Sequence, residues 1–182
     1  MKRPVHEHRI KSPKRLKYAV YTVSSSRFRA IEEGREFTDP TGDLAVRLIE
    51  SAGNSVVFRK VLSDDKSQIK REIEVVLDQV DVIILCGGTG LHPEDVTVEA
   101  AREIFEREVE GFGELFRYLS YKEIGSASML SRATAGILKG RAIFCLPGST
   151  KGVELALKEL ILPEAGHLVW VARGYEKVPS NS

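Results

Sequence analysis

The chain has 182 residues, of which 42% are apolar and 29% charged, and carries a formal net charge of +1. That length and balance suit one soluble domain with a substantial core and are too small for two comfortable ones. The near-neutral charge excludes a nucleic-acid footprint spread over the whole surface. No window is apolar enough to span a membrane, and the N-terminus MKRPVHEHRIKSPKR lacks the apolar core of a signal peptide, so the expected location is cytoplasmic.

Lys2, Arg3, Lys11, Lys14, Arg15 and Lys17 cluster at the start. Residues 1–15 read as a basic, solvated, flexible tail rather than a binding arm, 16–172 as a single domain, and 173–182 as a C-terminal tail. His6 and His8 read as a chance pair within the basic tail, and His167 as a packing or surface residue. Cys86 and Cys145 sit in the apolar runs VIILCGG and AIFCLPG and read as small buried hydrophobes, since two cysteines form neither a disulfide framework nor, by themselves, a metal cage. Asn, Gln, Met and Cys occur twice each while charged residues abound. Heat-labile types are avoided and ion pairs favoured, the usage expected of a thermophile.

In chain order, LKYAVYTVS (Leu16 to Ser24) is β-branched and aromatic, hence a strand. DPTGDLAVRLIESAG then places Leu44, Ala45, Leu48, Ile49 and Ala52 on one helical stripe, with Gly53 as its C-terminal cap. NSVVFRKVL is a second strand, and DDKSQIKREIEVVLDQV puts Ile69, Ile73, Val76, Leu77 and Val80 at helical spacing. DVIIL is a third strand, apolar throughout as in a parallel sheet covered on both faces. TVEAAREIFEREVEGFGELFRYLSYKEI reads as mostly helical and broken around Gly111 and Gly113, RAIFCLPG as a fourth strand, and TKGVELALKELIL as the last helix. This alternation predicts a doubly wound α/β domain with a mainly parallel sheet.

In such folds ligands bind beyond the carboxyl ends of the strands. Every loop of unusual composition falls there: TVSSSR with Ser24, LSDD, GGTG, and LPGST. Gly87, Gly88 and Gly90 can turn successive backbone N–H groups into one concavity able to hold phosphate oxygens, with Thr89 adding a hydroxyl. The same glycines also suit a plain tight turn, and the loop alone does not separate the two. The pattern is neither a P-loop nor G-x-G-x-x-G, and GSTKG at 148–152 lacks P-loop spacing. Asp65, with Gln68 three residues on, reads as a helix cap, which leaves Asp64 at the mouth of the cleft. Asp95 precedes a helix, but Thr97 is available to cap it. Two carboxylates facing a phosphate cradle repel an anionic substrate unless a divalent cation lies between them, and Mg²⁺ is the usual choice. The loops therefore point to chemistry on a phosphate or nucleotide.

GGTGLHPEDVTVEA, REVEGFGELFR, SMLSRATAG and LPGSTKG together resemble the MoaB/MogA family of molybdenum-cofactor biosynthesis proteins, and VEGFGE and PGST are worded more like its MoaB branch. The resemblance covers roughly residues 16–165. It implies the molybdopterin-binding fold, a Rossmann-like three-layer sandwich, and a Mg²⁺-dependent molybdopterin adenylyltransferase that makes adenylyl-molybdopterin and pyrophosphate from ATP and molybdopterin. Carried over by motif, Asp64 and Asp95 are the catalytic and metal-binding carboxylates. Some MoaB-branch proteins lack the first, and this chain keeps it. Ser24, Gly87, Gly88, Thr89, Gly90, Thr97, Glu99, Ser131, Arg132, Pro147, Gly148 and Ser149 are implied to line the nucleotide and pterin sites, with Arg132 or Lys151 supplying positive charge. Asp39, Thr41 and Gly42 resemble the family's Asp-x-Ser-Gly element, with Thr for Ser. The resemblance also implies a homo-oligomer, a trimer or hexamer, and a molybdenum-insertion protein as a downstream partner. Phe112, Phe116, Tyr118 and Tyr121 supply an apolar surface for oligomerisation. Two other readings stay open at this level: a non-catalytic molybdopterin carrier, and an interaction module on the same fold. For single residues, Arg132 can equally be a surface ion pair, and Ser131 and Thr97 helix caps.

Overall fold

The computed structural model describes residues 12–175; residues 1–11, with His6 and His8, and residues 176–182 lie outside the described residues, while Ser12, within the stretch read as a tail, is buried. Lys17–Val23 (β1) leads into the short helix Ser25–Glu32 (α1), and Pro40–Ser51 (α2) follows. Next come Ser55–Leu62 (β2), Lys66–Val76 (α3), a 3₁₀ turn and Val82–Cys86 (β3). After the glycine loop are Thr97–Arg102 (α4), the two-residue Arg107–Glu108 (β4) and Glu110–Ile124 (α5), which runs into a 3₁₀ segment over Gly125–Leu130. Thr134–Leu138 (β5), Arg141–Leu146 (β6), Thr150–Leu155 (α6) and Leu162–Ala172 (α7) complete the chain, with a π-helical stretch over Ala156–Ile161 joining the last two helices.

The six strands form one sheet in the order β2-β1-β3-β6-β5-β4. β1, β2, β3 and β6 are parallel, β5 runs antiparallel to β6, and β4 antiparallel to β5. Period-two alternation sends neighbouring side chains to opposite layers. Tyr18, Val20, Val82, Ile84, Cys86, Phe144 and Leu146 pack against α2, α5, α6 and α7. Ala19, Tyr21, Val23, Ile83, Leu85, Ile143 and Cys145 pack against α3 and α4. Phe112 of α5 meets Phe144 edge to face with ring centroids 5.1 Å apart, a favoured aromatic geometry. Both cysteines are buried and free, on opposite faces of the sheet, and burial, with the Asp39 carboxylate behind it, pushes the Cys86 thiol up to about 12.

The doubly wound, mainly parallel architecture stands as read from the sequence, and Gly53 (φ +81) follows the end of α2 as expected of a helix stop. The strand count differs, because β4 and β5 were not read as strands. The helical stretch after Thr97 is interrupted by β4, and Gly111 and Gly113 lie inside α5. At the C-terminus the packed fold continues past Ala172: the Arg173 guanidinium lies 2.6 Å from the Asp81 carboxylate, and Tyr175 packs edge-on against Trp170.

Gly136 sits mid-strand in β5, where a Cβ would stand 2.3 Å from the Phe105 ring. Gly136→Ala is expected to destabilise the fold by about 1–3 kcal/mol through overpacking, read as a lower denaturant midpoint with an unchanged slope; equal or greater stability would contradict this packing.

Candidate active site

Four loops meet at the carboxyl ends of the parallel strands. Ser24 follows β1, donates its N–H to Leu62 O at 2.8 Å, and caps α1 by accepting from Arg27 N. Asp64 follows β2. Gly87 and Gly88 follow β3 with φ of +109° and +62°, in the left-handed region that side chains resist. Pro147–Ser149 follows β6, and Ser149 caps α6 through Gly152 N at 3.2 Å.

The glycine loop is wedged between its neighbours. Gly87 N donates to Leu146 O at 2.9 Å, and a Cβ on Gly87 would lie 2.3 Å from Val23 O. A Cβ on Gly88 would lie 2.3 Å from Thr97 Oγ1 and 2.8 Å from Asp64 Oδ1, and one on Gly90 2.7 Å from Asp95 Oδ2. Both predicted catalytic carboxylates therefore abut the same loop, two residues apart along it. Asp64 Oδ2 accepts from Ser25 N at 2.9 Å and Ser25 Oγ at 2.7 Å, at the positive N-terminal end of α1. Asp95 Oδ2 accepts from His92 N at 3.2 Å.

Beside the loop is a cavity of about 550 Å³. Its polar lining includes Ser24, Gly87 to Gly90, Asp95, Ser120 and the loop from Pro147 to Ser149, with Arg27 and Lys151 as cations and Glu123 as a further anion. Its apolar wall is Phe116, Ile124, Leu130 and Leu155. That volume suits a small-molecule ligand, and the apolar wall faced by a few convergent polar groups is the usual composition of such a site.

Other predicted site residues stand around the cavity in supporting positions. Asp39 is buried, caps α2 through Gly42 N at 3.1 Å, and takes a 2.8 Å bond from Thr22 Oγ1 and an ion pair from Arg59. Thr41 Oγ1 donates to Gly148 O at 2.9 Å. Asp39, Thr41 and Gly42 thus brace the β1 and β6 loops rather than line the cavity. Asp65 does cap α3, but Gln68 Oε1 reaches past it to Ser63 N at 2.8 Å. Thr97 does not cap α4: its N–H donates to Gly88 O at 2.9 Å, and its hydroxyl is buried without a partner. Ser131 lines the cavity and ends the 3₁₀ segment as its C-terminal cap, its N–H donating to Ser128 O at 3.1 Å, and its Oγ accepts from Ala133 N at 3.3 Å. Arg132 and Glu99 lie behind the loop, paired with each other.

Sequence reasoning missed Arg27 and the wall from α5. Arg27 stands on the first turn of α1, where only the loop geometry turns it to the cavity. Phe112 and Phe116, read as surface for a partner copy, are buried in this chain's own core, whereas Tyr118 and Tyr121 are exposed.

A family model described as "Probable molybdopterin binding domain" matches residues 19–167. The chain belongs to this family. It is 40% identical over 168 residues to "Molybdenum cofactor biosynthesis protein B" of Bacillus subtilis, covering 91% of this chain and 95% of that one. It is 44% identical over 158 residues to a Methanocaldococcus jannaschii protein named "Probable molybdopterin adenylyltransferase", covering 86% and 93%. The solved structure of the tungsten cofactor synthesizing protein MoaB from Pyrococcus furiosus matches with a TM-score of 0.78 at 35% identity, over 89% of this chain and 99% of that one.

Gly34 has the same left-handed backbone as Gly88 (φ +65) but open space around it. Gly34→Ala is expected to carry only the backbone strain, of order 1–3 kcal/mol, and Gly88→Ala that strain plus its clash with Thr97 and Asp64. Equal unfolding free energies for the two variants would show that the close approach at Gly88 is relaxed at no cost.

Proposed function

We propose that the protein is a molybdopterin adenylyltransferase acting in molybdenum or tungsten cofactor biosynthesis. The observation that carries this reading is one loop, three of whose four residues are glycines, lying between two carboxylates and lining a cavity that also has large apolar side chains on its wall. The apolar wall suits a flat heterocycle and the loop amides suit phosphate oxygens. The name of the Methanocaldococcus relative agrees with it.

In the reaction a terminal phosphate oxygen of molybdopterin attacks the α-phosphorus of ATP. The new P–O bond forms as the bond to the bridging oxygen breaks, and pyrophosphate leaves with that electron pair. The attacking oxygen is already ionised, so no general base is needed. Catalysis of such a transfer is mostly positioning and charge stabilisation. With the Gly87 N–H taken by Leu146 O, the N–H groups of Gly88, Thr89 and Gly90, with Arg27 and Lys151, hold the phosphates, and the apolar wall orients the ring.

Mg²⁺ fits this donor set. Among the described residues no cluster of three or more ligating side chains exists, which speaks against a closed protein cage. A hard cation that keeps most of its water and takes one or two carboxylates needs no more than Asp95 on the cavity wall and Asp64 Oδ1 beside Gly88. When bound it screens phosphate charge and stabilises the leaving pyrophosphate. Asp64→Asn and Asp95→Asn should each lower adenylylation by roughly 100-fold or more, the scale for losing one preorganised charge-stabilising group, with folding intact. Pterin binding without pyrophosphate release from the parent chain would instead establish a carrier.

The exposed side chains of Leu115, Tyr118, Tyr121, Ile124, Met129 and Leu130 on α5 and the segment after it support a homo-oligomer, because so many large apolar groups close together are unusual on a monomer. Light scattering at micromolar concentration should report a trimer or hexamer; a monomer would refute this part of the reading.

A further inference from the structure

The resemblance implied Arg132 as a phosphate ligand and the residue itself allowed an ion pair; the structure shows the ion pair, with Glu99, and gives the guanidinium further work. Nε donates to Gly90 O at 2.8 Å and Nη2 to Asp95 O at 3.1 Å. Nη1 pairs with Glu99 Oε1, and Nη2 reaches Glu99 Oε2 at 3.3 Å. Gly90 and Asp95 are the two ends of the turn that carries Leu91, His92, Pro93 and Glu94, all exposed. Inside that turn the bonds are local: Asp95 N to His92 O at 2.9 Å, His92 N to Asp95 Oδ2 at 3.2 Å, and Glu94 N to His92 Nδ1 at 3.3 Å. Among the described residues, the hydrogen bonds that tie Gly90–Asp95 to a separate element are the two from Arg132.

We infer that Arg132 is a positioning residue: it clamps both ends of the Gly90–Asp95 turn and so holds the Asp95 carboxylate in register with the glycine loop. Glu99, in the first turn of the helix that follows, anchors the guanidinium from the other side. Burial would raise the Glu99 carboxyl, and the adjoining guanidinium, the residue's own backbone N–H and Lys66 together outweigh it, holding the group below the usual carboxylate range. The planar fork suits the task because its donors reach two carbonyls and one carboxylate at once, which the single nitrogen of lysine does not reproduce. The catalytic consequence rests on the adenylyl-transfer reading; the clamp itself does not.

The test uses the full-length chain with Arg132→Ala, Arg132→Lys and Glu99→Gln. In Arg132→Ala the His92 and Asp95 amides should exchange roughly tenfold faster or more, while amides of β3 keep their protection, as expected for a local opening. In adenylylation assays kcat should fall about 10–100-fold, the scale for groups that orient a metal-binding carboxylate. The Mg²⁺ concentration for half-maximal rate should rise, and KM for ATP should stay near the parent's. Arg132→Lys should fall between parent and alanine variant in exchange and in kcat, and Glu99→Gln should show the same pattern more weakly; these two decide the matter if the alanine variant does not fold. Unchanged exchange in 90–95, or loss of protection spread evenly into β3, overturns the inference. So does a raised KM for ATP with kcat intact, which would make Arg132 a direct phosphate ligand. If the parent chain transfers no adenylyl group, the functional reading fails, and the exchange comparison still decides whether Arg132 holds the turn.

Discussion

Two consecutive positions without side chains govern the arrangement of the site. Parallel strands lie about 4.8 Å apart, and β3 leaves the sheet between β1 and β6, so its first loop residues must pass between two fixed strand ends. Gly87 does so with Val23 O where its Cβ would be and Leu146 O bonded to its N–H. Gly88 lets Thr97 and Asp64 close on the same backbone from a helix and from another loop. A Cβ at either position would push apart elements whose closeness is what turns the loop toward the cavity. The turn of the loop toward the cavity and the approach of the Asp64 carboxylate are consequences of that close packing.

Such a site gathers negative charge where an anionic ligand would come, and the fold offsets it with fixed donors. Asp64 is held by the backbone and hydroxyl of Ser25 at the start of α1. Asp95 takes the His92 N–H. Asp39, deeper still, is met by Gly42 N–H, the Thr22 hydroxyl and Arg59. The arginine that is richest in contacts, Arg132, is occupied with this architecture, and the cavity's cations are Arg27 and Lys151.

What the sequence made legible follows from which interactions are local. Parallel strands buried on both faces read as uninterrupted apolar runs, so β1, β3 and β6 were plain, as were the amphipathic stripes of α2 and α3. β5 was not: TAGIL is short, carries a glycine mid-strand, and owes its place to antiparallel pairing with β6 and to the Phe105 ring seated over Gly136. The interruption before α5 was misplaced onto Gly111 and Gly113 because helix propensity penalises glycine, whereas β4 forms two residues of edge pairing that leave no periodicity. At the site, the loops and both aspartates were visible as composition. The partners of Arg132 were not, since Glu99 and Gly90 lie 33 and 42 residues away in the chain, and no spacing rule connects them.

Thr97 shows which demand prevails where local and tertiary requirements meet. A threonine at the head of a helix ordinarily turns its hydroxyl to the first free N–H groups, and α4 begins with no side-chain cap at all. Its N–H is taken by Gly88 O, and its buried hydroxyl points at the same glycine without a hydrogen bond. An unpaired buried hydroxyl costs about 1–3 kcal/mol, comparable to the cap it forgoes. A valine would fill nearly the same space without that penalty, so packing alone does not account for the residue. The hydroxyl is fully buried against the position a Gly88 Cβ would take and lines no part of the cavity, so at Thr97 the tertiary fit of the helix against the glycine loop prevails over the local cap.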